Sequence, residues 1–346
     1  MEPTKNLPYN EVAVVILNYN GKKFLEKFLP SVLNNSDGAE VIIADNGSTD
    51  DSLPWLKDNY PQVRTIILDK NYGFTGGYNK ALEQVKAKYF VLLNSDIEVP
   101  KGWVTPLLEL METSPEVAAC QPKIKLFSDK KYFEHAGAAG GFMDYMGYPF
   151  CRGRIMHTLE EDKGQYNSTI DIFWATGACL FIRADLYHEF EGLDDKFFAH
   201  MEEIDLCWRL KSAGYKIKAV CTSEVYHVGG GTLSRENPKK TYLNFRNGLF
   251  LLFKNLPASK LLSVLFFRMI LDGVAGIRFL LRMELANFWS ILKAHRDFYL
   301  TLPYLVKQRK KVKVKRIDFK EVYDHMIVKE YFLKKHTTFD HLKDWS

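Results

Sequence analysis

Tyr89-Phe90-Val91-Leu92-Leu93-Asn94-Ser95-Asp96 is an apolar run that ends in a carboxylate. Such a run has the length and character of a strand buried on both faces. An Asp at its end projects from the carboxyl edge of a sheet, which is where open α/β sheets bind ligands. There it can hold a divalent cation, and the cation can hold a diphosphate. Asn, Ser and Asp equally suit an ordinary turn, so the stretch acquires meaning only from its neighbours.

Three further segments stand in a matching order. Val12-Ala13-Val14-Val15-Ile16-Leu17 leads into Asn18-Tyr19-Asn20-Gly21, and Val41-Ile42-Ile43-Ala44 leads into Asp45-Asn46-Gly47-Ser48-Thr49-Asp50. Asn71-Tyr72-Gly73-Phe74-Thr75-Gly76-Gly77 then opens a helix at about Tyr78. Strand alternating with helix predicts a parallel sheet with helices on both faces.

Taken together these segments resemble family-2 glycosyltransferases of the GT-A fold, enzymes that use nucleotide-diphosphate sugars. A later block, Thr176-Gly177-Ala178-Cys179-Leu180 through His227-Val228-Gly229-Gly230, also matches, so the resemblance covers roughly residues 10–255. It runs to the bacterial rhamnosyltransferase-like branch. The resemblance implies a mostly parallel central sheet flanked by helices over residues 1–240, with a helical extension over 241–346.

Charge is split along the chain. From Lys239 onward there are 22 Lys and Arg against 9 Asp and Glu, a net of +13; residues 1–238 carry 25 and 33, a net of −8. An acidic body with a basic tail points to a catalytic domain beside a region that faces something anionic. Lys260, Arg268, Asp272, Arg278 and Arg282 fall within an arc of about 120° at 100° per residue, among Leu, Val, Phe, Ile and Met. The basic run Gln308–Arg316 follows. This pattern reads as an amphipathic helix lying in an anionic membrane surface, the alternative being a helix packed on the catalytic domain. No uninterrupted apolar stretch reaches the length of a membrane span. No helix-turn-helix, RNA-recognition or zinc-finger pattern supports nucleic acid. The five cysteines form no C-x-x-C pair and are odd in number, which fits a reducing compartment. With the polar stretch Met1–Asn10, this places the protein in the cytoplasm, peripheral to the inner face of the membrane.

Sugar transfer from a nucleotide donor needs a leaving diphosphate to be neutralised and an acceptor hydroxyl to be deprotonated. By the resemblance, Asp96 is the metal carboxylate and His227 a second ligand, with Mg²⁺ or Mn²⁺ as the cofactor. The family often has an Asp two residues before Asp96; here that position is Asn94. The base lies near Glu202-Glu203-Ile204-Asp205. The family usually has Glu-Asp there, the second residue being the base. Here the second is Glu203, one methylene longer, so Asp205 stays open as a competing base and Glu202 as a group that positions the acceptor.

For the donor, Asp45 is placed to accept from a pyrimidine ring N–H, and Asn18 and Asn20 shape that pocket. Gly73, Gly76 and Gly77, within the loop from Asn71 to Asn79, let backbone approach the donor, and Asn94 and Ser95 complete the strand-end turn. The glycine-rich, aromatic and basic stretch 137–154 reads either as a mobile acceptor-side loop, with Arg152 and Arg154 facing a lipid diphosphate, or as an ordinary surface connection; Trp174 nearby is either core or sugar platform. The expected activity is therefore metal-dependent, inverting transfer from a UDP- or dTDP-sugar. The acceptor is a saccharide or lipid-linked saccharide, in bacterial surface polysaccharide assembly. Two rivals are a sugar-1-phosphate nucleotidyltransferase and a non-catalytic glycan- or membrane-binding protein on a degenerate scaffold. The first would want a lysine-bearing glycine loop after the first strand, which Asn18-Tyr19-Asn20-Gly21 is not.

Overall fold

In the computed structural model, which describes residues 7–229 and 237–342, the apolar runs are strands. β1 (Val12–Asn18), β2 (Glu40–Asp45), β3 (Arg64–Ile67) and β4 (Tyr89–Asn94) alternate with α1 (Lys22–Asn35), α2 (Ser52–Asn59) and α3 (Gly73–Leu82). β1 lies between β2 and β4, parallel to both, with Asn18 level with Asp45 and Leu17 level with Asn94. The chain runs outward from β1 to β3, then returns to the other side of β1 for β4. That reversal opens a crevice at the carboxyl ends of the strands. Asn18, Asp45 and Asn94 all stand on it.

The next elements are β5 (Ile97–Glu98), α4 (Thr105–Thr113), β6 (Val117–Leu126), β7 (Gly141–Asp144), β8 (Pro149–Cys151), β9 (Arg154–Ile155) and β10 (Thr158–Leu159). β11 (Ile170–Ile172), β12 (Cys179–Arg183), α5 (Ala184–Glu189), α6 (Glu202–Ser212) and β13 (Lys216–His227) complete the body. Beyond β4 the main sheet is mixed: β12 runs antiparallel between β4 and β6, whereas β13 is parallel to β6. β12 follows the edge strand β11 of the same sheet with no helix between them, so the geometry that enforces parallel βαβ pairing does not act on it. Alternate residues of β1 and β4 enter two apolar layers. Val15, Phe90 and Leu92 face one; Val14, Val91 and Leu93 face the other. Burial on both faces is why these strands read as continuous apolar runs.

Two local readings change. α3 begins at Gly73 rather than near Tyr78, so the glycines are inside the helix. A Cβ on Gly77 would lie 2.9 Å from the Leu17 side chain, and one on Gly73 would lie 2.5 Å from the Phe198 ring. Here glycine permits close helix–sheet and helix–loop packing rather than approach of a ligand. The stretch 137–154 is not a mobile loop either, since it carries β7, β8 and the start of β9, strands of the small antiparallel sheet.

The C-terminal region comprises α7 (Pro238–Asn255), α8 (Ala258–Leu281), α9 (Leu285–Lys311), β14 (Val322–Tyr323) and α10 (Ile327–Phe332). It is not wholly helical: β14 pairs with β7 and joins the small sheet. Trp208 of α6 donates its indole N–H to the Arg316 carbonyl at 2.7 Å, tying the tail to the body. Among the described residues no helix is long and apolar enough to cross a membrane.

Candidate active site

β13 ends at His227, where it pairs with β5, the short strand that follows β4. Asp96 Oδ1 lies 3.1 Å from His227 Nε2, and Asn94 Nδ2 lies 3.3 Å from the same nitrogen. Asp96 and His227 are both nearly buried. On the far side of the ring, His227 Nδ1 lies 3.0 Å from Glu134 Oε2. Glu134 also accepts from the Ala136 N–H at 2.6 Å. Burial lowers the pKa of His227, but hydrogen bonds to Asp96 and Glu134 prevail and raise it to about 10. Burial likewise works against the Glu134 charge, yet the His227 hydrogen bond holds its pKa down at about 2.

This donor set fits a divalent cation. Two ligands on adjacent corners of an octahedron, each about 2.1 Å from the ion, stand about 3 Å apart, which is the Asp96–His227 separation. A carboxylate gripping the second ring nitrogen is the usual means of orienting a metal-bound histidine. To ligate, His227 would release its Nε2 proton. Among the described residues no three His, Cys, Asp or Glu side chains gather into a closed metal site, so the other positions would be left to water and donor phosphates. Gly230, the last residue of the sequence motif after His227, lies outside the described residues.

The base region adjoins this edge. The Asn94 N–H donates to the Ala178 carbonyl at 2.9 Å. Gly177, one residue earlier, sits against Glu203: a Cβ there would lie 3.8 Å from the Glu203 Cβ. Glu202 and Glu203 open α6, and Oε2 of each is buried without a partner. Burial pushes the Glu203 carboxyl up to about 7, its backbone hydrogen bonds opposing the rise. Burial and the neighbouring Glu203 push Glu202 well above its ordinary range. The approach to α6 is strained: Phe198, His200 and Met201 all have positive φ, at 67°, 69° and 72°. Strain of this kind is retained where surrounding structure imposes it, often at active sites. Here Asn247 of α7 imposes it, donating from Nδ2 to the carbonyls of Phe197, Ala199 and His200 at 2.7–3.0 Å. The Phe198 carbonyl accepts from the Phe74 N–H at 2.9 Å, coupling this loop to α3. His200 is half-buried, but its Nε2 is buried and lacks a partner, and burial lowers its pKa to about 4.

Asp205 is differently placed. It is fully buried, with Lys254 Nζ and Arg209 Nε each 2.9 Å from Oδ2 and Asn255 Nδ2 2.8 Å from Oδ1. Burial raises its pKa, but Lys254 and Arg209 outweigh that and hold it below the ordinary value. Such a carboxylate is a brace and a poor base. Lys254 also pairs with Asp194, ahead of the strained loop. Lys254→Met would leave Asp194 buried without its cation and Asp205 with Arg209 alone, and should cost about 3–5 kcal/mol in urea unfolding. A cost below 1 kcal/mol would show that the network contributes little to the fold.

The donor residues lie along the strand ends. Asn18 Nδ2 donates to Asp45 Oδ2 at 3.0 Å, and Asp45 Oδ1 accepts from the Ser48 N–H at 2.9 Å. Asp45 is fully buried, so it shapes the loop through both oxygens. Asn18 Oδ1 is buried and unpaired. Asn20 accepts from the Thr49 N–H at 2.7 Å, and Asn71 accepts from the Gly73 N–H at 2.8 Å. Asn79 is turned away, donating to the Leu193 carbonyl and accepting from Tyr187. Ser95 stands beside Gly21, at the turn after β1. Tyr19, between Asn18 and Asn20, is 46% exposed on this edge.

Three residues assigned to the acceptor are placed elsewhere. Arg152 is buried and donates to the Ala139 and Ser168 carbonyls. Arg154 donates to the Met156 carbonyl. Trp174 is core, its indole N–H bonded to the Phe142 carbonyl at 2.9 Å. Both guanidinium groups are taken up by backbone carbonyls in or beside the small sheet, not turned to a lipid diphosphate. Glu134, His200 and Asn247 escaped the sequence reading. A polar Arg246-Asn247 pair inside an apolar helix was a usable signal for Asn247. Glu134 carried none, because its partner is 93 residues away.

A model of glycosyl transferase family 2 matches residues 13–190, just over half of the chain. An N-acetylglucosaminyl-diphospho-decaprenol L-rhamnosyltransferase of Mycobacterium tuberculosis is 27% identical over 240 residues, covering 64% of this chain and 78% of its own. The low-salt glycan biosynthesis hexosyltransferase Agl10 of Haloferax volcanii is 21% identical over 243 residues, 69% of this chain and 74% of its own. The crystal structure of GalNAc-T7 with UDP, GalNAc and Mn²⁺ superposes with a TM-score of 0.56 at 16% identity, over 72% of this chain and 48% of that one. These likenesses accord with the GT-A architecture and with the rhamnosyltransferase-like branch. The chain belongs to glycosyltransferase family 2.

Proposed function

We propose that this glycosyltransferase moves a sugar from a UDP- or dTDP-sugar to a hydroxyl of a saccharide, carried on a lipid, at an anionic membrane surface. The observation that carries the reading is the convergence of Asp96 and His227, 3.1 Å apart at the switch point of the sheet, beside Glu203 at the start of α6. Asp96 and His227 would hold Mg²⁺ or Mn²⁺, which when bound supplies positive charge to the leaving diphosphate. Asn18, Asn20 and Asp45 shape the pocket for the nucleotide base, with Tyr19 beside it. Glu203 takes the proton from the acceptor hydroxyl, and direct displacement inverts the anomeric centre. Glu202, neutral through burial, can donate a hydrogen bond to the acceptor. The buried and unpartnered atoms Asn18 Oδ1, His200 Nε2, Glu202 Oε2 and Glu203 Oε2 support the reading, since buried polar groups are ordinarily satisfied and a substrate can satisfy these.

A panel of nucleotide sugars incubated with Mg²⁺ or Mn²⁺ tests it. Release of UDP or dTDP from one donor, lost with chelator, is the expected result. Pyrophosphate release from a sugar phosphate and a nucleoside triphosphate would instead make the protein a nucleotidyltransferase. Inertness toward every donor would overturn catalysis by this site.

A further inference from the structure

α8 is amphipathic, and the centre of its charged side, Arg268 and Asp272, is turned inward. Arg268 and Asp272 are buried and paired at 3.1 Å. The Arg268 guanidinium lies 3.9 Å from the centroid of the Tyr148 ring and donates to the Met146 carbonyl. Asp272 Oδ2 lies 3.1 Å from His295 Nε2 of α9. These contacts staple the α8–α9 hairpin to the body and fix the rotation of α8. Its opposite face is thereby turned outward, and that face is apolar. Leu262, Phe266, Ile270, Val274, Ile277 and Leu281 are 81, 62, 49, 58, 58 and 80% exposed. At 100° per residue the exposed apolar positions span about 140° without a charge, and Lys260 and Arg278 border that arc. The stripe reaches the hairpin corner, where Met283 is 78% exposed, and Trp289 of α9 is 63% exposed.

The surroundings of the stripe indicate what covers it. Lys307, Lys310 and Lys313 are exposed at and beyond the far end of α9, in a region of net charge +13. A twofold contact with a second copy would set this cationic region against itself. An anionic lipid surface accepts both the apolar stripe and the cations at its border. We propose that the α8–α9 hairpin is an in-plane membrane anchor. The outward face of α8 sinks into the boundary between headgroups and acyl chains of an anionic phospholipid bilayer, and the bordering lysines and Arg278 meet the headgroups. The basic run 308–316 contributes less than its composition implies. Arg309 is bonded to the Phe253 carbonyl, Lys311 is paired with Glu191 and Arg316 with Asp318. The inference deepens the membrane-surface part of the proposed function and rests on it, but not on the transfer chemistry.

Full-length protein and the triple variant Phe266→Glu, Ile270→Glu, Ile277→Glu would be compared by co-sedimentation with vesicles of phosphatidylglycerol and phosphatidylcholine. All three residues are exposed, so the fold should survive, which the thermal transition and donor hydrolysis of the variant would check. The variant should bind about 100-fold more weakly or worse, because apolar burial is replaced by charge. Wild-type binding should fall only in part at high salt, since burial is not screened. Brominated lipid should quench Trp289, and Trp289→Phe should remove that quenching. Equal sedimentation of the folded variant would overturn the anchor, as would a wild type that never sediments. A wild-type dimer that the variant converts to monomer, with vesicle binding unchanged, would assign the stripe to a second copy instead. Absence of donor hydrolysis in both proteins would sink the transferase reading and leave the vesicle result standing.

Discussion

Glu203→Gln should lower turnover by about 100-fold or more while leaving donor affinity near that of the wild type. The amide keeps the size of the side chain and its place at the start of α6, and removes only its basicity. The buried Glu203 carboxyl is pushed up to about 7, near the optimum for a general base at neutral pH. A base must be ionised to act, so the activity of the wild type should fall as pH drops through about 7. That limb should be missing from the residual activity of the variant. Asp205→Asn provides the contrast. Asp205 is paired with Lys254 and Arg209, so its loss should appear chiefly as reduced stability, with the pH limb kept. A Glu203→Gln enzyme of normal turnover, beside a folded but dead Asp205→Asn enzyme, would transfer the role of base to Asp205.

Asp96→Ala should reduce transfer by about 1,000-fold or more, because the diphosphate would lose the cation that the proposed site has Asp96 hold. The residue stands at a strand end with 7% exposure and outside both apolar layers, so the fold should persist. Calorimetry separates loss of the metal from loss of the fold: donor binding in the variant should no longer respond to Mn²⁺, while the thermal transition stays near that of the wild type. Glu134→Gln should act more mildly, weakening Mn²⁺ affinity about 10- to 100-fold, since it loosens the grip on His227 without removing a ligand. Full Mn²⁺-dependent activity in Asp96→Ala would remove this residue from the mechanism.

The site residues differ in how readable they were. Asp96 and Asn94 follow a continuous apolar run, and strand, strand end and polar turn are all local in sequence. Glu203 was reached through the family pattern, with Asp205 left beside it as a rival. The two are separated by partners from distant segments, Lys254 and Asn255 on α7. Arg152, Arg154 and Trp174 showed the composition of a binding loop, yet their polar atoms serve backbone carbonyls within the small sheet or beside it. Composition records that a guanidinium is present; it does not record which carbonyls fold up around it.

The amino-acid sequence by itself determined the alternating strands and helices of the first half and the polar strand ends on one edge. It also determined the division into an acidic body and a basic tail. Those features depend on side-chain period and on neighbours a few residues apart. Only the tertiary structure decided which buried charges are braces and which buried polar groups remain unpaired. It also decided which face of α8 looks outward. A period of 100° per residue defines a charged face and an apolar face but not which of them meets the protein. Tyr148, Asp272 and His295 draw Arg268 and its face inward, and the apolar face is left to solvent because the two lie on opposite sides of one rigid helix.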